Sequence, residues 1–90
     1  MTVTKTEITH RFNNITDIQQ IDNKQLFTAT VNNRRILISY YTIVGIYDFT
    51  NSEWLITTEK YSITTSKQLT QFVSKNTSRY TDISDYIKGL

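Results

Sequence analysis

Few side chains in this sequence could do chemistry. His10 is the only histidine and cysteine is absent. A Ser-His-Asp arrangement would therefore have to run through His10, and a zinc site, which takes roughly three or four His or Cys ligands, lacks them. Glu53 and Glu59 flank one apolar run, and Asp82 and Asp85 are spaced one helical turn apart. Paired carboxylates perform acid–base work when burial or charge separates their pKa values. Here both pairs sit among polar neighbours and read as a solvated strand edge and a polar helix face. Gly45 and Gly89, the only glycines, cannot build a loop that cradles phosphate. No catalytic residue, metal ligand or cofactor is assigned, and the chain is read as a non-enzyme.

Binding is the chemistry that remains. Lys60-Tyr61-Ser62-Ile63-Thr64-Thr65-Ser66-Lys67 combines hydroxyls, two lysines and an expected helix start, where free amides can attract an anion. A capped helix, with Tyr61 and Ile63 in the core and the lysines in water, explains the same hydroxyls without a ligand. Six tyrosines and one tryptophan are many for this length, and Tyr40, Tyr41, Tyr47, Trp54 and Tyr61 all fall on expected strands. Such residues suit interfaces, because they bury area while keeping a polar tip, and they suit strands equally. Tyr40 and Tyr41 are neighbours and so point to opposite faces; at least one is a candidate for the outer face. The candidate partner-binding residues are Tyr40, Tyr41, Trp54, Arg34, Arg35, Lys60 and Lys67.

Length and charge bound the alternatives. Ninety residues make one domain, 1–90, with a single small core and no room for a deep pocket. The formal charge is +2, yet the cations are spread along the chain and only Arg34 and Arg35 adjoin. A nucleic-acid footprint clusters its charge. No run approaches the roughly 18 apolar residues of a spanning helix, and Met1 to Arg11 lacks the apolar stretch of a signal peptide. The expectation is a chain free of the membrane, working in the cytoplasm of a host cell. Asn14-Ile15-Thr16 and Asn76-Thr77-Ser78 match the glycosylation pattern, but without a secretory signal the matches carry no weight.

The elements that must position these residues follow from periodicity. Proline is absent, so Asp22-Asn23-Lys24, Asn32-Asn33 and Asn51-Ser52 mark the turns, since Asn and Asp tolerate the left-handed backbone. Thr2, Thr4, Thr6, Ile8, His10 and Phe12 alternate and predict an N-terminal edge strand. Ile15, Ile18 and Ile21 lead into a turn and are read as a strand. Phe27, Ala29 and Val31 alternate with Leu26, Thr28 and Thr30, predicting a half-buried strand. Arg34 to Phe49 is apolar on both faces and too long for one strand, so a bend is expected between Ser39 and Thr42. Gly45 would admit a close neighbour there. A hairpin joins Thr42–Phe49 to Glu53–Thr58, and the β-rich run continues to Ile63. Thr65 or Ser66 is expected to cap a helix whose apolar stripe is Leu69, Phe72 and Val73. Asp82 to Lys88 is a last helical turn, with Ile83, Tyr86 and Ile87 on its apolar side. The predicted fold is α+β: a twisted antiparallel sheet of four to five strands with one C-terminal amphipathic helix packed on one face and the other face open.

Ser39-Tyr40-Tyr41-Thr42-Ile43-Val44-Gly45, then Trp54 to Thr58, then Lys60-Tyr61-Ser62-Ile63-Thr64-Thr65-Ser66-Lys67 resemble a family of small phage and mobile-element proteins. Those carry a Ser-Tyr-x-Thr-x-Val-Ala segment, a hairpin, and a Lys-Tyr/Trp-Ser-x-Thr-Thr-Ser/Thr-Lys/Arg segment entering a helix. The likeness covers the middle half of the chain, with Gly45 in place of the alanine. The family has no assigned activity, so the resemblance implies a genetic context and carries over no catalytic residue. Small phage proteins often act by disabling one host component, CRISPR effectors among them.

The expected function is thus a small binding protein of phage or mobile-element origin that inhibits a host protein, as an anti-CRISPR or other anti-defence inhibitor. The alternative is a nucleic-acid-binding accessory protein using Arg34, Arg35, Lys60 and Lys67 with tyrosines for stacking. A homodimer paired through an uncovered strand edge is compatible with the first. A mimic of DNA is excluded by the slightly positive charge.

Overall fold

A computed structural model describes residues 2–90, and Met1 lies outside them. The first element corrects the expected N-terminal strand: Lys5–Arg11 is a helix, α1. Thr4 and Glu7 decide it. The Thr4 hydroxyl accepts the Glu7 N–H at 3.2 Å, while the Glu7 carboxylate accepts the Thr4 N–H at 3.3 Å, the reciprocal pair of a capping box. Alternating threonines gave an accidental period of two; the Thr-x-x-Glu cap and a single buried Ile8 set the helix.

Six strands follow: β1 (Ile15–Gln20), β2 (Leu26–Val31), β3 (Arg34–Ser39), β4 (Thr42–Asp48), β5 (Glu53–Thr57) and β6 (Ser78–Thr81). They lie in one sheet in chain order. The first five pair antiparallel and β6 pairs parallel to β5, so the sheet is mixed and larger than the four to five antiparallel strands expected. The parallel pairing requires a crossover, which α2 (Ile63–Lys75) supplies. A short helix, α3 (Ser84–Lys88), ends the chain. The helix with the Leu69, Phe72 and Val73 stripe is therefore neither the only one nor the last.

Asn and Asp mark the turns as anticipated. Asp22, Asn23, Asn32 and Asn33 all have positive φ, between 48° and 65°. Tyr40 shares that region at 56°, an uncommon conformation for a bulky side chain. Its N–H donates to the Gln25 carbonyl at 2.9 Å, holding the turn that splits the long apolar run into β3 and β4. In β4, Leu37 pairs with Gly45 and Ile38 with Ile43, leaving Val44 as a bulge. A Cβ on Gly45 would stand 3.0 Å from Ile56 Cδ1 and 3.2 Å from Leu37 Cβ, which is why glycine serves there.

Both faces of the sheet are covered. On one, Leu69 and Phe72 of α2 pack with Leu26, Leu37, Val44 and Ile56. On the other, Val3, Ile8 of α1 and Ile83 next to α3 pack with Phe27, Ala29, Ile36, Ile38, Ile46 and Leu55. This corrects two expectations: among the described residues β2 is buried rather than half-buried, and the second face is covered rather than open. The physical reason lies in the ends of the chain, whose isolated apolar residues Val3, Ile8 and Ile83 are too sparse to announce helices yet suffice to cap a sheet.

Candidate interaction surface

The seven residues singled out by sequence do not converge. Tyr40 and Tyr41 pack partly buried against the α1 side. The Tyr41 hydroxyl donates to the Glu7 carboxylate at 2.5 Å, and the Arg11 guanidinium lies 4.7 Å from the Tyr41 ring centre. The hydrogen bond from Tyr41, helped by Thr4, holds the Glu7 carboxyl below its usual range, and the same bond raises the Tyr41 phenol. Trp54 lies on the α2 side in edge-to-face contact with Phe72 at 5.2 Å and Tyr47 at 5.4 Å.

Arg34 and Arg35 take opposite faces. The Arg34 guanidinium lies 6.0 Å from the Tyr86 ring of α3. Arg35 spans three strands on the α2 side, donating to Thr28 Oγ1 at 2.7 Å, Thr30 Oγ1 at 3.0 Å and the Asp17 carbonyl at 3.2 Å. Arg35 thereby ties β1 and β2 to β3. Lys60 and Lys67 stand apart from both arginines, in a shallow depression on the outer side of α2 with Tyr61, Ile63, Ser66, Thr70 and Gln71.

That depression differs from the capped-helix expectation in one respect. The cap is Ser62, whose Oγ accepts the Thr65 N–H at 3.2 Å, so the helix starts three or four residues earlier than Thr65 or Ser66 would set it. Thr65 instead is buried and shares a hydrogen bond with Ser39 Oγ at 3.0 Å, and Ser39 donates to Gln68 at 3.3 Å. Thr65 thus docks α2 on β3, while Ser62 caps the helix. The strand run stops at Thr57, and the two residues expected in the core are outside it: Ile63 is 76% exposed and Tyr61 38%. Tyr61 donates to Glu59 at 2.9 Å, and partial burial together with that bond raises its phenol. A signal for Ile63 was present. It precedes Phe72 by nine residues, about two and a half helical turns, which puts it on the opposite side of α2, where Lys67 and Thr70 follow at i+4 and i+7.

A second concavity, about 310 Å³, lies where α2 leaves the β1–β2 end of the sheet. Ile21, Leu26, Trp54 and Phe72 line it, with Gln68 and Gln71 at the helix side. Lys24 donates to Gln71, and Lys75 faces Asp22 at 3.7 Å, so two polar links tie the β1–β2 turn to α2 beside it. Nothing in the sequence pattern announced this cleft, because its lining comes from three separate stretches of the chain.

His10 is exposed in the last turn of α1. Among the described residues no three His, Asp or Glu side chains come together as a metal site, and no helix is long and apolar enough to cross a membrane.

The profile of a family of unknown function, DUF8033, matches residues 6–87. The chain belongs to this family. The DUF8033 match runs from α1 to α3 and so takes in the whole sheet and both of its coverings. No curated protein and no solved structure matches the chain.

Proposed function

We propose that this is a small non-enzymatic binding protein that inhibits a host protein for a phage or mobile element, an anti-CRISPR or other anti-defence inhibitor being its specific form. The surface offered to the partner is Tyr61 and Ile63, framed by Lys60 and Lys67. One observation carries the reading: Ile63 stands 76% exposed on the outer side of α2, beside a half-exposed aromatic ring and between two cations. An apolar group with no internal packing role, next to tyrosine, has the makeup of an interface centre, and the lysines select a partner with an acidic rim around an apolar pocket. The phage context and the inhibitory action rest on the resemblance of the segments around Tyr40 and Tyr61.

The test is affinity capture from host lysate with wild type, with Ile63→Asp and with Tyr41→Phe. A partner held by wild type and Tyr41→Phe but lost by Ile63→Asp is the expected result. A partner that survives Ile63→Asp removes this surface from the function. Nuclease-sensitive capture whose strength falls steeply with salt would favour the nucleic-acid alternative instead.

A further inference from the structure

The cleft beside the β1–β2 turn holds a donor that the fold leaves unused. Gln68 is 8% exposed and lines the cleft from α2. A chain of hydroxyls fixes which way its amide faces. Ser62 Oγ donates to Thr65 Oγ1 at 3.2 Å, so the single Thr65 proton goes to Ser39 Oγ at 3.0 Å and the Ser39 proton to Gln68 Oε1 at 3.3 Å. The carbonyl end is thereby occupied, and the Gln68 NH2 has no hydrogen-bond partner among the described residues. Nor is it sealed off: among those residues Arg34 Nε is the one side-chain atom both shut from solvent and unpartnered. The space that Gln68 opens on is the cleft. A buried donor without an acceptor is costly, so the site favours a ligand that supplies one.

Charge and shape select the acceptor. Gln71 follows Gln68 by three residues, one turn along the same side of α2, and its side-chain oxygen holds the Lys24 ammonium. The ammonium is thus a neighbour of the Gln68 amide. Lys75 is matched by Asp22, whereas Lys24 meets only the neutral Gln71, so the lining carries one cation without an anion. An ammonium has three donors and can keep Gln71 while it binds a carboxylate. The rest of the surface is apolar, with Ile21 and Leu26 from the sheet beside the rings of Trp54 and Phe72. Its volume of about 310 Å³ is about twice the roughly 150 Å³ that takes one benzene ring. Two fused rings fit.

We propose that this cleft binds a small aromatic carboxylate of two fused rings, its oxygens shared between the Gln68 amide and the Lys24 ammonium and its rings seated on Trp54 and Phe72. A free molecule is favoured over a segment of another chain. A backbone entering here has to cross the Lys24–Gln71 and Lys75–Asp22 links between the turn and α2, whereas a molecule of this size leaves them closed. The proposal does not rest on the Tyr61 and Ile63 surface.

Its test is an NMR titration of nitrogen-labelled protein with 2-naphthoate and with the neutral 2-naphthamide. The Gln68 side-chain amide and the indole N–H of Trp54, the only tryptophan, each give their own signal. Wild type is expected to show saturable shifts of both with 2-naphthoate, and binding of the neutral amide weaker by about tenfold or more. Gln68→Glu keeps an acceptor for Ser39 but replaces the donor with oxygen, and Lys24→Gln removes the charge; each should weaken 2-naphthoate, read at Trp54, by about tenfold or more. Lys24 lies in the turn, so Lys24→Gln carries the test if Gln68→Glu fails to fold. No saturable shift with 2-naphthoate, equal binding of acid and amide, or an affinity unchanged in Lys24→Gln overturns the proposal. Shifts of both signals that grow with protein concentration and without the acid would assign the cleft to a second copy, and overturn it too.

Discussion

The Tyr41 hydroxyl donates to the Glu7 carboxylate at 2.5 Å, joining the β3–β4 turn to the helix that covers it. Glu7 at the same time closes the cap of α1. One side chain thus fixes both the start of the helix and its seat on the sheet, and this explains how seven residues hold as a helix where an isolated one would not.

Acid should weaken this contact. The Glu7 carboxyl titrates below its ordinary 4.5, chiefly through the Tyr41 bond. A carboxyl lowered on folding contributes stability that is present above its unfolded pKa and lost as pH falls through the folded value. Tyr41→Phe is therefore expected to move the Glu7 pKa back up, followed by side-chain carbon shifts in NMR. The stability difference from wild type should be present at pH 7 and shrink as pH falls through the folded Glu7 value.

The cap itself is testable apart from the tyrosine. Thr4→Ala removes the hydroxyl that accepts the Glu7 N–H and should cost about 1 kcal/mol in urea denaturation. Thr6→Ala, exposed within the same helix and outside the cap, should change stability by less than about 0.5 kcal/mol.

Gly45→Ala should destabilise by about 1–3 kcal/mol through overpacking. The new methyl meets Ile56 Cδ1 at 3.0 Å and, at 3.3 Å, the Leu55 carbonyl, which is backbone and cannot swing aside. Chemical denaturation measures this, and a neutral result would mean that the bulge at Val44 relaxes to make room.

Phe72 and Ile63 sit on the same helix and should behave oppositely. Phe72→Ala empties a buried site against Trp54 and should cost about 3–5 kcal/mol, with a shift in the emission of Trp54, the only tryptophan. Ile63→Asp should leave stability within about 0.5 kcal/mol of wild type, so a loss of partner capture in that variant reports on the surface alone.

Much of the middle of the chain was legible. Asn32-Asn33 and Asp22-Asn23 read as left-handed turns, and they are. The apolar run over Arg34 to Phe49 was too long for one strand, and it breaks at Tyr40. Leu69, Phe72 and Val73 announced a helix because their spacing is local and the stripe is dense. Ser78–Thr81 was not legible: four polar residues become a strand only because α2 delivers them beside β5. Of the site residues, Trp54 and Arg35 were drawn inward by partners far away in sequence, Phe72 and Asp17.

What the sequence by itself determined is the set of local commitments: turn positions, strand alternation, the face of α2, the absence of thiols. Each is settled by a few consecutive residues, through backbone sterics and side-chain periodicity. Only the tertiary structure decided that both faces are closed and that Ser78–Thr81 becomes a strand parallel to β5. Those outcomes turn on which surfaces meet across the chain, and a pattern of neighbours holds no information about a partner dozens of residues away.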